Sequence, residues 1–309
     1  MNRILATAVA FLIVYSASAQ VSLDQAILLL EAGDFGGSII VIDQLIAKDP
    51  HHASYYSHKT RCLVALTAFE DAMDALNVGI ALMPDSAVLY NDKGTLLESF
   101  GLYPEAIREF TSASEKTDEP GLKSHILSNL GGAKYRTRDF QGGYIALMKA
   151  IELDSTNLDA LNNIAPLCDE INRPEDGLLY LEKIIRINPN YAPAYINLGF
   201  KYQKLEKYEE AIEYFNKAIE IAPSEALSFS NRSFSKLKLK DLDGAMTDVN
   251  YSLELFPTNS FAYKIRALIK IEKKLTKEAC TDLYKAIELG YSNQYGTEVR
   301  DLIEKNCRN

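Results

Sequence analysis

The chain has 309 residues, 47% of them hydrophobic and 24% charged. That composition excludes a wholly disordered polypeptide and is long enough for two ordinary domains or one long repeat array. The formal charge of −9 argues against a nucleic-acid surface, which is ordinarily basic, and favours basic or polypeptide partners.

The first element in the chain is residues 1–19. Met1-Asn2-Arg3 is a short positive start, Ile4 to Tyr15 is uncharged and mainly apolar, and Ala17-Ser18-Ala19 precedes Gln20. This order predicts a secretory signal peptide over 1–19 and an exported protein, periplasmic or secreted. The apolar run is too short to cross a bilayer comfortably, and no later segment is long and apolar enough, so no membrane span is expected after cleavage. Export makes the four cysteines candidates for disulfides, with three full pairings open to them.

Beyond Gln20 one theme recurs, and it is plainest in 192–225. Tyr195, Leu198, Gly199 and Tyr202 fall at three- and four-residue steps, as do Ala211, Phe215 and Ala218. Each set is the buried stripe of an amphipathic helix. Leu205 to Lys207 allows only a tight turn, so the two helices are antiparallel neighbours, with Gly199 expected against Ala211. Pro223 ends the second helix. This stretch resembles the tetratricopeptide repeat, a 34-residue helix–turn–helix unit. The resemblance implies an all-α fold: a right-handed α-solenoid of eight such repeats over 20–293, closed by a capping helix over 294–309. A lone hairpin leaves its outer faces uncovered, so stacking is required.

Laid along the chain, that frame places repeats at 19–52, 53–86, 87–120, 124–157, 158–191, 192–225, 226–259 and 260–293. The first helix of repeat one is expected to be short. Gly121 to Lys123 interrupt the period and are expected in a surface loop. Pro166 lies within the first helix of repeat five and predicts a kink. The last segment, Tyr295 to Cys307, carries Val299, Leu302 and Ile303 among charges and reads as the cap on repeat eight.

Position 7 of the frame is apolar in some repeats but basic at Lys59, Lys93, Arg232 and Arg266. Position 23 of the partner helix is acidic in three of those four repeats, at Glu109, Asp248 and Asp282. A half-buried cation needs a partner, so the pairs Lys93–Glu109, Arg232–Asp248 and Arg266–Asp282 are expected as structural ion pairs. Cys280 faces the cap in this frame, and an antiparallel cap brings Cys307 back toward it. A Cys280–Cys307 disulfide is therefore expected, with Cys62 and Cys168 free in the core.

No catalytic constellation stands out. His51, His52 and His58 lack a fourth ligand and a recognised metal spacing, and the acids are dispersed at repeat spacing. The chain reads as non-catalytic, with no metal or cofactor. The resemblance implies instead a concave groove lined by the first helices through positions 2, 5, 6, 9, 12 and 13. Position 6 carries Asn129, Asn163, Asn197 and Asn231, an amide ladder suited to a peptide backbone. Position 9 carries Phe200, Phe234 and Leu268, with Ile196, Leu227 and Phe261 nearby and Lys204, Lys238 and Lys264 at the edge. An apolar stripe of this kind marks an interaction site. The partner expected here is a protein or peptide segment, apolar with some acidic character; no oligomeric state follows. The alternatives are an envelope glycan-binding module and, behind it, an enzyme of unrecognised type.

Overall fold

The computed structural model describes residues 21–292 and 296–307; the signal-peptide expectation for 1–19 lies outside the described residues. Among the described residues the elements are seventeen α-helices and no strands. They fall in two compact bodies, Met1–Leu167 and Cys168–Asn309.

In the first body, repeat one is α1 (Leu23–Glu31) and α2 (Phe35–Lys48), and repeat two is α3 (Ala53–Ala65) and α4 (Phe69–Leu82). Repeat three is α5 (Ala87–Ser99) and α6 (Tyr103–Glu115), and repeat four is α7 (Pro120–Arg136) and α8 (Phe140–Leu153). The boundary between the bodies falls within α9 (Leu158–Glu170), the first helix of repeat five, which keeps Pro166 inside its span; the second helix of that repeat, α10 (Pro174–Ile187), belongs to the second body. In the second body follow α11 (Ala192–Lys204) with α12 (Tyr208–Ile221), α13 (Ala226–Lys238) with α14 (Leu242–Leu255), and α15 (Ser260–Glu272) with α16 (Thr276–Glu288). The last helix, α17, spans Glu298–Asn306. Within each body, helices pack first on their hairpin partner and then on the next repeat, in chain order.

The small positions set how closely each hairpin closes. A Cβ added to Gly94 would lie 2.6 Å from the Phe110 ring, and one on Gly199 would lie 2.5 Å from the Phe215 ring. Gly199 thus makes room for Phe215, four residues further along α12 than the expected Ala211. Ala106, Ala211, Ala245 and Ala279 are fully buried at the equivalent point of each second helix. Tyr56 and Tyr195 tie successive repeats together, their hydroxyls donating to the carbonyls of Pro50 (3.1 Å) and Pro189 (3.0 Å).

The expected surface loop at Gly121 to Lys123 is overturned. Gly121 to Lys123 do not form a loop; they extend α7 to 17 residues, against 13 in α5 and α11. Pro120 opens the helix, where its missing N–H costs nothing, and the Glu119 carboxylate accepts from the Gly121 and Leu122 amides. Three extra residues make nearly one helical turn, so the insertion is absorbed as helix with its start capped.

Candidate functional site

The first helices of the second body present one residue row after another at a 34-residue interval. Phe200 and Leu227 remain 39% and 43% exposed, while Phe234, Phe261 and Leu268 are half-buried along the same face. Phe234 meets Phe261 at 6.4 Å between ring centroids and Tyr208 edge-on at 6.4 Å. Phe234 of α13 thus joins Phe261 of α15 to Tyr208 of α12, while Phe200 of α11 meets Phe215 edge-on at 6.1 Å.

Between α13, α15 and α17 the stripe deepens into a cavity of about 350 Å³. Its apolar lining is Phe234, Leu237, Leu268, Ile271 and Leu302; its polar rim includes Lys238 and Lys305. Leu302 and Lys305 lie 34 residues beyond Leu268 and Ile271, so α17 stands where the first helix of a ninth repeat would stand. Extending the frame by one period would have found them.

The predicted polar groove residues divide. Asn231 is only 2% exposed; its amide donates to the Leu227 carbonyl of its own helix at 2.7 Å, and its Oδ1 has no hydrogen-bond partner. Asn129 donates to Asn91 of the preceding repeat at 3.0 Å, and Asn163 to Ser128 at 3.5 Å. Asn197 is also engaged, and Ile196 beside it is half-buried. The amide ladder is thus largely consumed by local and inter-repeat bonds, because side chains at this position meet the neighbouring helix before they meet solvent. Lys264 likewise needs correction as a groove-edge contact. It is 5% exposed, pairs with Glu298 of α17 at 3.0 Å, and lies 5.6 Å from the Phe261 centroid. Lys204 is spent on Asp169 at 3.1 Å. Lys238 has no carboxylate partner among the described residues and sits 5.2 Å from the Phe234 ring centroid.

The basic residues at position 7 are packing elements. Arg232 grips Asp248 with two guanidinium nitrogens, at 2.7 and 2.6 Å, and Arg266 grips Asp282 at 2.9 and 2.6 Å. Each carboxylate also takes a second cation that the sequence reading had not assigned, Lys236 at 2.9 Å and Lys270 at 2.7 Å. Each arginine reaches back to an Asn of the previous repeat, Asn216 or Asn250. The whole cluster repeats at a 34-residue step. The Asp282 hydrogen bonds hold the Arg266 guanidinium above its ordinary pKa. Lys93 pairs with Glu109 at 3.2 Å. Lys59, whose own repeat has Ala75 at position 23, reaches Asp43 of repeat one at 2.7 Å.

Cys280 and Cys307 are joined by a disulfide, with Cα atoms 5.7 Å apart and a separation of 27 positions in sequence. Cys62 and Cys168 are free and buried. Burial pushes the Cys168 thiol up to about 11. Among the histidines, His52 stacks on Tyr55 and His58 hydrogen-bonds the Ser54 carbonyl.

Tetratricopeptide-repeat family models match residues 23–87 and 192–225. No curated protein matches the chain. Among solved structures, the Cut9–Hcn1 hetero-tetramer of the APC/C is similar with a TM-score of 0.71 at 17% identity, over 92% of this chain and 55% of that one. A tetratricopeptide repeat protein from Parabacteroides merdae is similar with a TM-score of 0.64 at 18% identity, over 82% of this chain and 98% of that one. Yeast Tom70 is similar with a TM-score of 0.63 at 15% identity, over 89% of this chain and 59% of that one. The chain thus spans little more than half the length of the Cut9–Hcn1 and Tom70 chains. At these identities the likeness is one of fold, and it defines an array of paired helices of the tetratricopeptide class. The family models match those two stretches as tetratricopeptide repeats, and the neighbours share the fold.

Proposed function

We propose that the protein is a non-catalytic scaffold that binds a polypeptide segment in the groove of repeats six to eight. The observation that carries the reading is the open apolar stripe of Phe200, Leu227, Phe234, Phe261 and Leu268 on successive first helices. Apolar surface left in contact with water along one face of a stacked array is the signature of an interaction site. Repeats of this class typically serve protein–protein interaction, which supports the same reading.

The protein works in the cell envelope or outside the cell. The order of charge, apolar run and small residues in 1–19 supports export, and the Cys280–Cys307 bond suits an oxidising compartment. Intact mass of the mature protein is expected to begin at Gln20; a mass that retains 1–19 would overturn export by cleavage.

A photoreactive amino acid placed at Phe234 in cells tests the groove. Crosslinks to a polypeptide at Phe234, with none from a probe at Tyr251 on the second helix of repeat seven, are expected. Capture at Tyr251 and silence at Phe234 would move the site off the groove.

A further inference from the structure

Resting on the groove reading above, the structure assigns α17 a second role besides capping. We infer that the cavity between α13, α15 and α17 takes one bulky apolar side chain of an acidic polypeptide segment, whose flanking carboxylates pair with Lys238 and Lys305.

The shape comes first. The cavity, about 350 Å³, sits at the small end of ligand clefts, which run from roughly 300 to 1,000 Å³. That admits a large side chain together with part of the chain that carries it. Its floor is apolar on all three helices, with Phe234 and Leu237 on α13, Leu268 and Ile271 on α15, and Leu302 on α17.

Charge then selects the neighbours of that side chain. The rim acid Glu272 is neutralised by Lys240 at 3.0 Å. Lys238 and Lys305 have no carboxylate partner among the described residues, and both are exposed. The rim is therefore left with two positive charges that no carboxylate among the described residues neutralises, on a chain whose formal charge is −9. Since the long-range field repels an acid, the attraction is local and is made by these two ammonium groups.

The third wall is built to stay in place. A nine-residue helix is marginal alone, so tertiary contacts must hold α17. Its start is held by the Lys264–Glu298 pair at 3.0 Å. Its middle is held by Val299, fully buried against Ala267, Ala279 and Leu283. Its end is held by the Cys280–Cys307 bond. A wall fixed at three points spares the ligand the cost of ordering it.

Fluorescence anisotropy with the full disulfide-bonded chain tests this. The probes are labelled Gly-Asp-Glu-Phe-Glu-Asp-Gly, its Phe-to-Ser counterpart, and a counterpart with Lys in place of every acid. The acidic Phe peptide is expected to bind at least about tenfold more tightly than either counterpart. The surface charge reversals Lys238→Glu with Lys305→Glu are expected to weaken it by about tenfold and to favour the Lys-bearing peptide instead. Lys217→Glu, on the second helix of repeat six, is expected to change nothing. Equal binding of acidic and basic peptides, or no binding of any, would overturn the inference. So would binding of dodecanoate alone with the same lysine dependence, since the occupant is then a lipid anion. If Lys305→Glu leaves the peptide affinity unchanged while Phe234 still crosslinks a polypeptide in cells, this inference fails and the groove reading stands. If Phe234 captures nothing, the groove reading fails with it.

Discussion

Asp248 and Asp282 each sit under two cations, and that changes which side of the pair matters most. Both carboxylates are almost fully buried, and each accepts from an arginine fork and a lysine. Removing the acid strands two half-buried cations; removing the arginine leaves the acid with its lysine. Asp248→Ala is expected to cost about 3–5 kcal/mol in urea denaturation and Arg232→Ala distinctly less, with the reverse order counting against this account. Asp92 is a different case. Burial raises its carboxyl above the usual range, while Ser57, which donates to it, and Arg61, His125 and Asn91 only partly offset that. Between the ordinary and the raised pKa the folded state binds more protons than the unfolded, so stability falls as pH rises through that window. Asp92→Asn is expected to gain stability at neutral pH, and the gain should shrink as pH is lowered through the raised value. A gain that stays constant with pH would show that burial of the charge is not its source.

At the scale of the element, the eight turns share one device. The fifteenth residue of every repeat takes a left-handed backbone, with φ between +58° and +80°, and only Gly33 and Gly101 of the eight are glycine. The amide after it returns to a carbonyl five residues back, as in Lys207 to Tyr202 and Asp241 to Lys236, both at 2.9 Å. This is a Schellman closure, which satisfies the end of the first helix and reverses the chain in three residues. Thr67 is β-branched and pays most for that conformation. Thr67→Gly is expected to raise stability by about 1 kcal/mol, read as a shift in thermal midpoint. The cap follows a different logic. Its closed loop, with a sequence separation of 27, gives the disulfide roughly 3.5 kcal/mol in the chain-entropy account, concentrated on α17. Native protein treated with N-ethylmaleimide is expected to gain no adduct, two after unfolding, and four when reductant is added. Labelling of Cys62 or Cys168 in the native state would contradict their burial.

Across the whole molecule, stability is distributed by neighbours. Within each body a repeat touches the ones beside it, so the loss of one side chain should be felt locally. Ile42, fully buried in α2, makes a suitable probe. Ile42→Ala is expected to cost about 2–5 kcal/mol and to lower amide-exchange protection in α1 to α4, while α11 to α16 exchange as before. Uniform loss of protection through the chain would show global cooperativity instead. The formal charge of −9 also belongs to this scale. It opposes the approach of an acidic ligand at long range, whereas the Lys238 and Lys305 pairing acts within contact distance.

The helices, their pairing and the repeat register were legible in the residues. They depend on spacing along one chain, where a 3.6-residue period and a turn too short for any other route leave little choice. The ion pairs of α13 with α14 and of α15 with α16 were legible for the same reason, since charge at one position was matched by charge at a position facing it. The tertiary structure decided what depends on neighbours three or more helices away or on side-chain reach. It turned Gly121 to Lys123 into helix through a cap at Glu119. It spent Lys264 on Glu298 and Asn231 on its own helix, and it made α17 a wall of the groove. Burial and the use of each hydrogen-bonding group are properties of packed surfaces, and packing is fixed only when every repeat has met the next.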